Sequence, residues 1–340
     1  MRWLLTGGAG YIGAHVLRAM QAADLEVVVF DDLSTGDPGR VPAAVPLVVG
    51  SILDGATLRR TLGDYQIGGV VHLAGKKAVA ESVADPLRYY RENVVGTLTL
   101  LEEMRTAGVG RLVFSSSAAV YGTPAGETVE ETAATRPESP YGRSKLVGEW
   151  MVQDAAAAVG ISSVSLRYFN VVGCADPTLA DTGGTNLFPL VMRALMDGAR
   201  PVVYGADYPT RDGSCIRDFI HVQDLAEAHV AAAGLVGWRR CAETVNIGCG
   251  SGHTVLEVLD TVGEVTGRDT TPTISPRRPG DPVRMVAAAD KAERLLGWRA
   301  SRGLEAMVVS AWQAHHPDSV ARRPPSGADG PAAGPAAAVA

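Results

Sequence analysis

The stretch MRWLLTGGAGYIGAHVLRAM, residues 1–20, decides how the rest of the chain is read. An apolar run, RWLLT (2–6), has the character of a strand, and the glycine-rich loop after it opens onto a helical stretch, YIGAHVLRAMQAA (11–23). Gly7, Gly10 and Gly13 recur every three residues, and Gly8, Gly10 and Gly13 also satisfy G-x-G-x-x-G. Between a strand and a helix, glycines permit a tight turn, close approach of the backbone to a pyrophosphate, and packing of helix on strand. The helix N-terminus then offers free N–H groups and a partial positive charge to the phosphates. Alone, such a loop is only a tight turn. Asp31, directly after the next apolar run EVVVF (26–30), turns the pattern into a dinucleotide site. A carboxylate there accepts ribose hydroxyls and repels a 2′-phosphate by roughly 1–4 kcal/mol at contact distance. No arginine takes its place, so NAD is expected rather than NADP. Asp32 is either a solvated turn residue or a neighbour of the adenosine.

Outward from this loop, the first half alternates apolar runs with helical stretches. PLVVG (46–50), GVVHLA (69–74) and RLVFSSS (111–117) join the first two runs as strands. They are continuous rather than alternating, as befits strands covered on both faces. Helical segments fall between them, among them DPLRYYRENVVGTLTLLEEMRTA (85–107). This order predicts right-handed βαβ units and a doubly wound parallel sheet. The second half is less regular. SVSLRYFNVVG (163–173) reads as a strand running into a loop, and helices are expected at about 187–197, 221–236 and 254–267. Residues 1–173 are expected to form the dinucleotide domain, with a segment at about 217–250 returning to it. Residues 174–315 are expected to form a smaller α/β substrate-binding lobe. The Ala/Pro/Gly-rich tail, 316–340, has no periodicity and is expected to be disordered.

Composition narrows the function classes. At 340 residues the chain exceeds one small core, and 46% hydrophobic with 20% charged residues is ordinary for a globular protein. A net charge of −6 argues against nucleic-acid or membrane-surface binding. No apolar stretch reaches the length of a membrane span, and glycines interrupt the N-terminus before a signal-peptide core could form. Cys174, Cys215, Cys241 and Cys249 form no CxxC pair, so neither a metal site nor a disulfide framework is expected. A cytoplasmic protein is the simplest reading.

A second stretch, SPYGRSKLVGEW (139–150), carries chemistry. Ser139 can cap a helix and Pro140 suits its first turn. Tyr141 and Lys145 are then four apart and share one helix face. Taken alone, this is an aromatic ring leaning on a lysine stem. Beside a dinucleotide site it becomes a phenol whose proton a cation can loosen from an ordinary pKa near 10. Ser115, Ser116 and Ser117 end a strand of the sheet, where α/β proteins keep their ligands. One of them could hold a substrate hydroxyl, although a serine triplet is often only turn chemistry.

These motifs together resemble the extended short-chain dehydrogenase/reductase family, and within it the branch that epimerises UDP-sugars at carbon 4. The resemblance runs from Met1 to about Trp312 and rests on TGGAGYIGAH, AGKKAVAESV…PLRYYRENV, FSSSAAVYG, SPYGRSK, LRYFNVVG, IRDFIHVQDLAEAH and PRRPGDP. It implies a Rossmann sheet with bound NAD and a UDP-sugar substrate, interconverted between UDP-glucose and UDP-galactose. Tyr141 would be the general acid/base, Lys145 would lower its pKa, and Ser117 would hydrogen-bond the sugar 4-hydroxyl. Oxidation at carbon 4, rotation of the keto sugar and reduction from the other face would invert that centre and leave the cofactor as it began. Cofactor contacts would come from Gly7, Gly10, Tyr11, Ile12, Gly13, Asp31 and Asp32. Ser51, Ile52, Leu73, Ala74, Gly75, Lys77 and Phe169 would add to them. The resemblance assigns Lys77, Asn170, Asn186 and Leu187 to the nucleotide sugar, Tyr204 to the uracil and Asp281 to the uridine ribose. Arg217 and Arg278 would hold the diphosphate, since a planar guanidinium pairs bidentately with phosphate oxygens. A homodimer through helices at about 85–107 and 140–158 is also implied.

The match departs from the family at three points. Ser51 stands where an aspartate usually lies near the adenine, and Asp54 is close by. Glu92 replaces a frequent asparagine, with Asn93 beside it. Met285 occupies the position that gates the sugar pocket; long but flexible, it leaves N-acetylated and pentose sugars open as alternatives. Dehydratases and decarboxylases of this family carry acids after the strand hydroxyl, where this chain has Ala118 and Ala119. A non-catalytic NAD sensor would lack the Tyr–Lys pair, and a nucleotide-sugar reductase would consume added NAD(P)H.

Overall fold

The computed structural model describes residues 1–183, 186–278 and 280–316; the tail expected to be disordered lies, from 317 on, outside the described residues. Strand β1 (Arg2–Thr6) leads through the glycine loop into helix α1 (Tyr11–Ala22), followed by β2 (Glu26–Asp31), β3 (Leu47–Val49), α2 (Gly55–Asp64) and β4 (Ile67–His72). Helices α3 (Val79–Ala84) and α4 (Pro86–Tyr89), a π-turn at Tyr90–Val95 and α5 (Gly96–Ala107) precede β5 (Arg111–Ser117), α6 (Pro140–Val159) and β6 (Ser162–Tyr168). The second half holds β7 (Asn170–Val172), α7 (Leu187–Met196), β8 (Val202–Tyr204), β9 (Ile216–His221), α8 (Val222–Trp238) and β10 (Ala242–Ile247). It continues with β11 (Gly252–Thr254), α9 (Val255–Thr266), β12 (Thr273–Ser275), β13 (Arg284–Met285), α10 (Asp290–Leu296) and α11 (Leu304–His315).

Seven strands form one parallel sheet in the order β10-β6-β5-β4-β1-β2-β3. The continuous apolar runs are explained by its two faces. Trp3, Leu5, Val27 and Val29 pack against α1 and α8, with Val16, Leu17, Leu225 and Ala232. Leu4, Val28 and Phe30 point the other way, against Leu58 of α2, Leu100 of α5 and Val152 of α6. Side chains alternate along each strand, so only apolar residues at consecutive positions satisfy both layers. The order reverses between β1 and β4, and the crevice at their C-terminal ends is where a doubly wound sheet binds ligands.

Over that end sits a second set of elements. Strand β9 pairs with β7, β11 and β13, and β8 pairs with β12. Their core gathers Phe188 and Met192 of α7, Val258 and Leu259 of α9, and Met307 and Val308 of α11. The segment at about 217–250 divides between the two parts. Its first strand, β9, belongs to the small sheet, whereas α8 packs on the large sheet and β10 extends it.

The stretch 85–107 is not the uninterrupted α-helix its pattern predicts. A π-turn interrupts it, and within that turn Asn93 is buried. Its Oδ1 accepts the Lys76 N–H at 2.7 Å, and its Nδ2 donates to the Lys76 carbonyl at 3.0 Å and Ser144 Oγ at 2.9 Å. Three bonds to one polar side chain offset the irregular turn, as such bulges often do near sites.

Candidate active site

A cleft of about 460 Å³ opens at the crevice, floored by the glycine loop and by Leu73, Ala74 and Gly75 after β4. Gly7 has φ +73°, and a β-carbon on it would lie 2.7 Å from the Ala74 nitrogen. A β-carbon on Gly13 would lie 2.1 Å from the Gly7 carbonyl oxygen, so the helix could not close on the loop. Helix α1 has no side-chain cap and no acidic residue in its first turn. Its N–H groups are thus left for an anion in the cleft. Asp31 lines the opposite wall. Its Oδ2 accepts the Ala9 N–H and its Oδ1 the Leu33 N–H, each at 2.9 Å. Burial raises its pKa, and those two N–H groups work against the rise. Each oxygen keeps a lone pair for a ribose hydroxyl. The residues present fit a dinucleotide: a glycine cradle, an uncapped helix start and a held carboxylate.

At the inner end of the cleft, α6 brings its reactive face against the end of β5. Ser139 caps the helix, accepting the Gly142 N–H at 3.1 Å, and Pro140 occupies the first turn. Tyr141 and Lys145 both line the cleft and are buried. The structure sorts the three serines. Ser115 Oγ bonds His229 at 3.0 Å, and Ser116 Oγ donates to Glu149. Ser117 Oγ accepts the Ala119 N–H at 3.1 Å, and its hydroxyl is near enough to the Tyr141 phenol to act on its pKa. Burial pushes that phenol above its ordinary value, and the Ser117 hydroxyl pulls it back.

Lys145 is held at the end of β5. Its Nζ donates to the Ser115 carbonyl at 2.9 Å, and burial brings its pKa down to about 8, opposed by Glu149. The group that lowers the phenol among the described residues is Ser117, because the ammonium is held at the strand backbone. Glu149, one turn further along α6, forms a buried ion pair with Arg167 of β6, at 2.6 and 2.8 Å. Arg167 also donates to the Tyr121 hydroxyl at 2.9 Å. This network fixes the register of α6 on the sheet beneath Tyr141. The Tyr89 ring meets the Tyr141 ring edge-on, centroids 6.4 Å apart, and its hydroxyl donates to Glu81.

The residues assigned to the nucleotide sugar, Lys77 apart, lie in the second half, on or beside β7, α7, β8 and β9. Arg217 donates to Asp281 at 2.6 Å and is paired in register with Met285. Met285 is buried with Ala118, Leu146 and Phe169, next in sequence to Ser117, Lys145 and Tyr168 respectively. The position expected to gate the sugar pocket therefore packs on residues adjacent in sequence to Ser117 and Lys145. Arg278 stacks on Tyr204, 3.7 Å from its ring centroid. Asn170 is exposed and donates to the Asp218 carbonyl at 3.2 Å. Asn186 is exposed at the start of α7 and makes no capping bond; Leu187 begins that helix half-buried.

Two of the expected cofactor residues do not face the cleft. Ser51 Oγ accepts the Leu53 N–H at 3.2 Å, and its neighbours Gly50 and Ile52 line the wall instead. Phe169 is turned into the cluster with Met285 because β6 ends at Tyr168, whose side chain takes the cleft position. Asp54, a possible substitute for the missing adenine-side acid, caps α2 through the Thr57 N–H. Sequence reasoning passed over Arg40, Lys76, Glu81 and the segment Asp181–Gly183, all of which line the cleft. They sit in short helical turns and loops too brief to show periodicity, so only the folded chain brings them there.

With this geometry established, likeness to known proteins acquires physical content. Residues 3–248 match the model of the NAD dependent epimerase/dehydratase family. The UDP-glucose 4-epimerase of Azospirillum brasilense is 48% identical over 305 residues, 87% of this chain and 86% of that relative. The UDP-glucose 4-epimerase of Streptomyces lividans is 45% identical, over 93% of this chain and 97% of that protein. A crystal structure of UDP-glucose-4-epimerase from Stenotrophomonas maltophila, with bound NAD and formylated UDP-arabinopyranose, superposes with a TM-score of 0.90 at 39% identity. It covers 94% of this chain and 99% of that one. Since the glycine loop, the Tyr–Lys helix and the strand-end serine all lie inside the matched span, the chain belongs to the NAD dependent epimerase/dehydratase family.

Proposed function

We propose that this protein is an NAD-dependent isomerase that interconverts UDP-glucose and UDP-galactose by inverting sugar carbon 4. The observation that carries the reading is Tyr141 and Lys145 lining the inner end of the dinucleotide cleft from one helix face, with the Ser117 hydroxyl near enough to the phenol to lower its pKa. The curated relatives at 45–48% identity support it. NAD, held by the glycine loop, Asp31 and Lys77, supplies reversible two-electron chemistry at that carbon. Tyr141 takes the proton from the 4-hydroxyl and returns it, with Ser117 sharing the hydrogen bond and Lys145 supplying positive charge behind the strand end. Ala118 and Ala119 carry no proton, which disfavours dehydration or decarboxylation. Arg217 and Arg278 anchor the diphosphate, so the sugar can turn while the nucleotide stays.

The test is a product assay with UDP-glucose, UDP-galactose, their N-acetylated forms and UDP-pentoses, without added cofactor. Conversion of UDP-galactose is expected; no epimerisation of any of them would refute the reading. The pentose arm matters because the Stenotrophomonas relative binds a formylated UDP-arabinopyranose. Met285→Ala should widen acceptance of the N-acetylated sugars, because the side chain it removes packs on residues adjacent in sequence to Ser117 and Lys145.

Among the described residues no helix is long and apolar enough to cross a membrane. We place the enzyme in the cytoplasm, in keeping with its four free cysteines. Val83 of α3, Leu87 of α4, Leu98 of α5 and Trp150 of α6 are exposed. Such a face suits a homodimer. Sedimentation of Trp150→Asp against the parent protein tests this, with a shift to monomer expected.

A further inference from the structure

Three basic side chains, Arg40, Lys145 and Arg167, are buried among the described residues. Arg167 is neutralised by Glu149. Among the described residues Lys145 and Arg40 form no ion pair, and these are the two that line the cleft. Lys145 already has its place beside Tyr141. Arg40 has none: it is 8% exposed, lies nine residues beyond Asp31, and reaches the cleft from a short 3-10 turn, Pro38–Arg40. The loop that carries it folds back over the phosphate loop, where the Asp37 N–H donates to the Ala9 carbonyl at 3.0 Å. Its Nη2 donates to the Ala180 carbonyl at 2.7 Å, and its Nε is buried without a partner. That leaves Nη1 for the cleft. A buried cation without a counter-ion is costly, and the cost is removed when a ligand brings the negative charge.

The bond to Ala180 has a second consequence. Residues 173–183 run from the end of β7 across the cleft mouth, and Asp181–Gly183 line it. Besides the Cys174 Sγ–His15 Nε2 contact at 3.8 Å, three hydrogen bonds tie this segment to the first half. The Tyr11 hydroxyl donates to the Gly173 carbonyl at 2.6 Å, the Ala175 N–H donates to His15 Nε2 at 3.1 Å, and Arg40 holds Ala180. Only the third is made by a charged group that also faces the ligand.

We propose that Arg40 is an anion-binding residue of the cofactor site, which holds the pyrophosphate of the dinucleotide and latches residues 173–183 over it, so that the cofactor stays bound through repeated turnovers. The inference rests on the NAD assignment above. A reaction that leaves its redox cofactor unchanged gains from never releasing it, and a ligand-dependent latch supplies slow release.

The experiment is exchange of the cofactor carried by the purified holoenzyme for isotopically labelled NAD, in the parent protein and in Arg40→Ala, Arg40→Gln and Arg40→Lys. Release is expected to be at least about tenfold faster for Arg40→Ala and Arg40→Gln, and within about threefold of the parent for Arg40→Lys. UDP affinity, read by calorimetry, should stay within about twofold in all of them. Arg40→Gln keeps a donor for Ala180 but no charge, so release as slow as the parent's in that variant would overturn the anion role. It also decides the matter should Arg40→Ala not fold. A larger loss of NADP than of NAD binding would also overturn the proposal, by assigning the cation to a 2′-phosphate. A parent protein that neither carries nor binds NAD would instead remove the cofactor assignment itself.

Discussion

In the cleft half, several polar groups at or behind the ligand site are held by more than one partner. Asp31 sits between two backbone N–H groups, Asn93 makes three hydrogen bonds, and the catalytic helix is anchored through Glu149 to Arg167 and Ser116. In the lobe around β9, Arg217 has one ion pair, Arg278 one aromatic stack, and Asn186 no capping bond. Proton transfer at a fixed carbon needs atoms placed to fractions of an ångström, which many mutually constraining bonds provide. Holding a diphosphate while a sugar turns needs charge more than rigidity, and lightly tethered arginines can rotate onto a ligand. The two regions thus divide the work between placement and grip.

The largest effect should come from breaking placement. Tyr141→Phe is expected to lower turnover of UDP-galactose by about 10²–10⁴-fold while leaving bound NAD and UDP affinity unchanged. A variant that kept most of its activity would dissolve the contrast. Acid tests both regions through stability. Burial holds His72 at a pKa of about 3 and His221 and His229 at about 4, below the ordinary 6.5. The unfolded chain therefore binds more protons below pH 6.5, so stability is full above that value and falls as pH drops towards 4, by roughly several kcal/mol in all. Asp218 in the lobe acts in the opposite sense, since burial raises its carboxyl to about 6. Urea midpoints measured from pH 4 to 8 should show the net loss; a flat profile would mean that these histidines are not buried as described.

Grip should respond more modestly. Arg217→Ala is expected to raise KM for the UDP-sugar about tenfold to a hundredfold with a smaller change in kcat, because the lost contact is equal in ground and transition states. A loss mainly in kcat would instead put Arg217 among the placement groups. The smallest effect belongs to the cap of the catalytic helix. Ser139→Ala removes the bond to the Gly142 N–H and should cost about 1 kcal/mol in a denaturant titration. Its effect on turnover should be slight, because Glu149 still holds the helix.

Much of this was legible in the chain itself. The glycine spacing, the acid after β2, the continuous apolar strands and the Tyr141–Lys145 step follow local rules, because turns, strand faces and helix faces depend on near neighbours in sequence. Local rules are silent where long-range packing decides. Ser51 and Phe169, assigned to the cofactor by the resemblance, lie in the connections after β3 and β6, and their neighbours Gly50, Ile52 and Tyr168 line the cleft. Serine identity said nothing of which member of the triplet faces Tyr141; the pleat of β5 against α6 and α8 chose Ser117. The π-turn at Asn93 has no local signature, since it exists to bond a loop seventeen residues away.

What the sequence determined by itself is therefore the sheet, the dinucleotide loop and the chemical type of the catalytic pair, all set by spacing of a few residues. What only the tertiary structure decided is which groups act on one another: Lys145 on the Ser115 carbonyl, Glu149 on Arg167, Met285 against Ala118 and Leu146, and Arg40 in the cleft with no counter-ion among the described residues. Those pairings join residues far apart along the chain, and burial in a common low-dielectric interior is what gives them their strength.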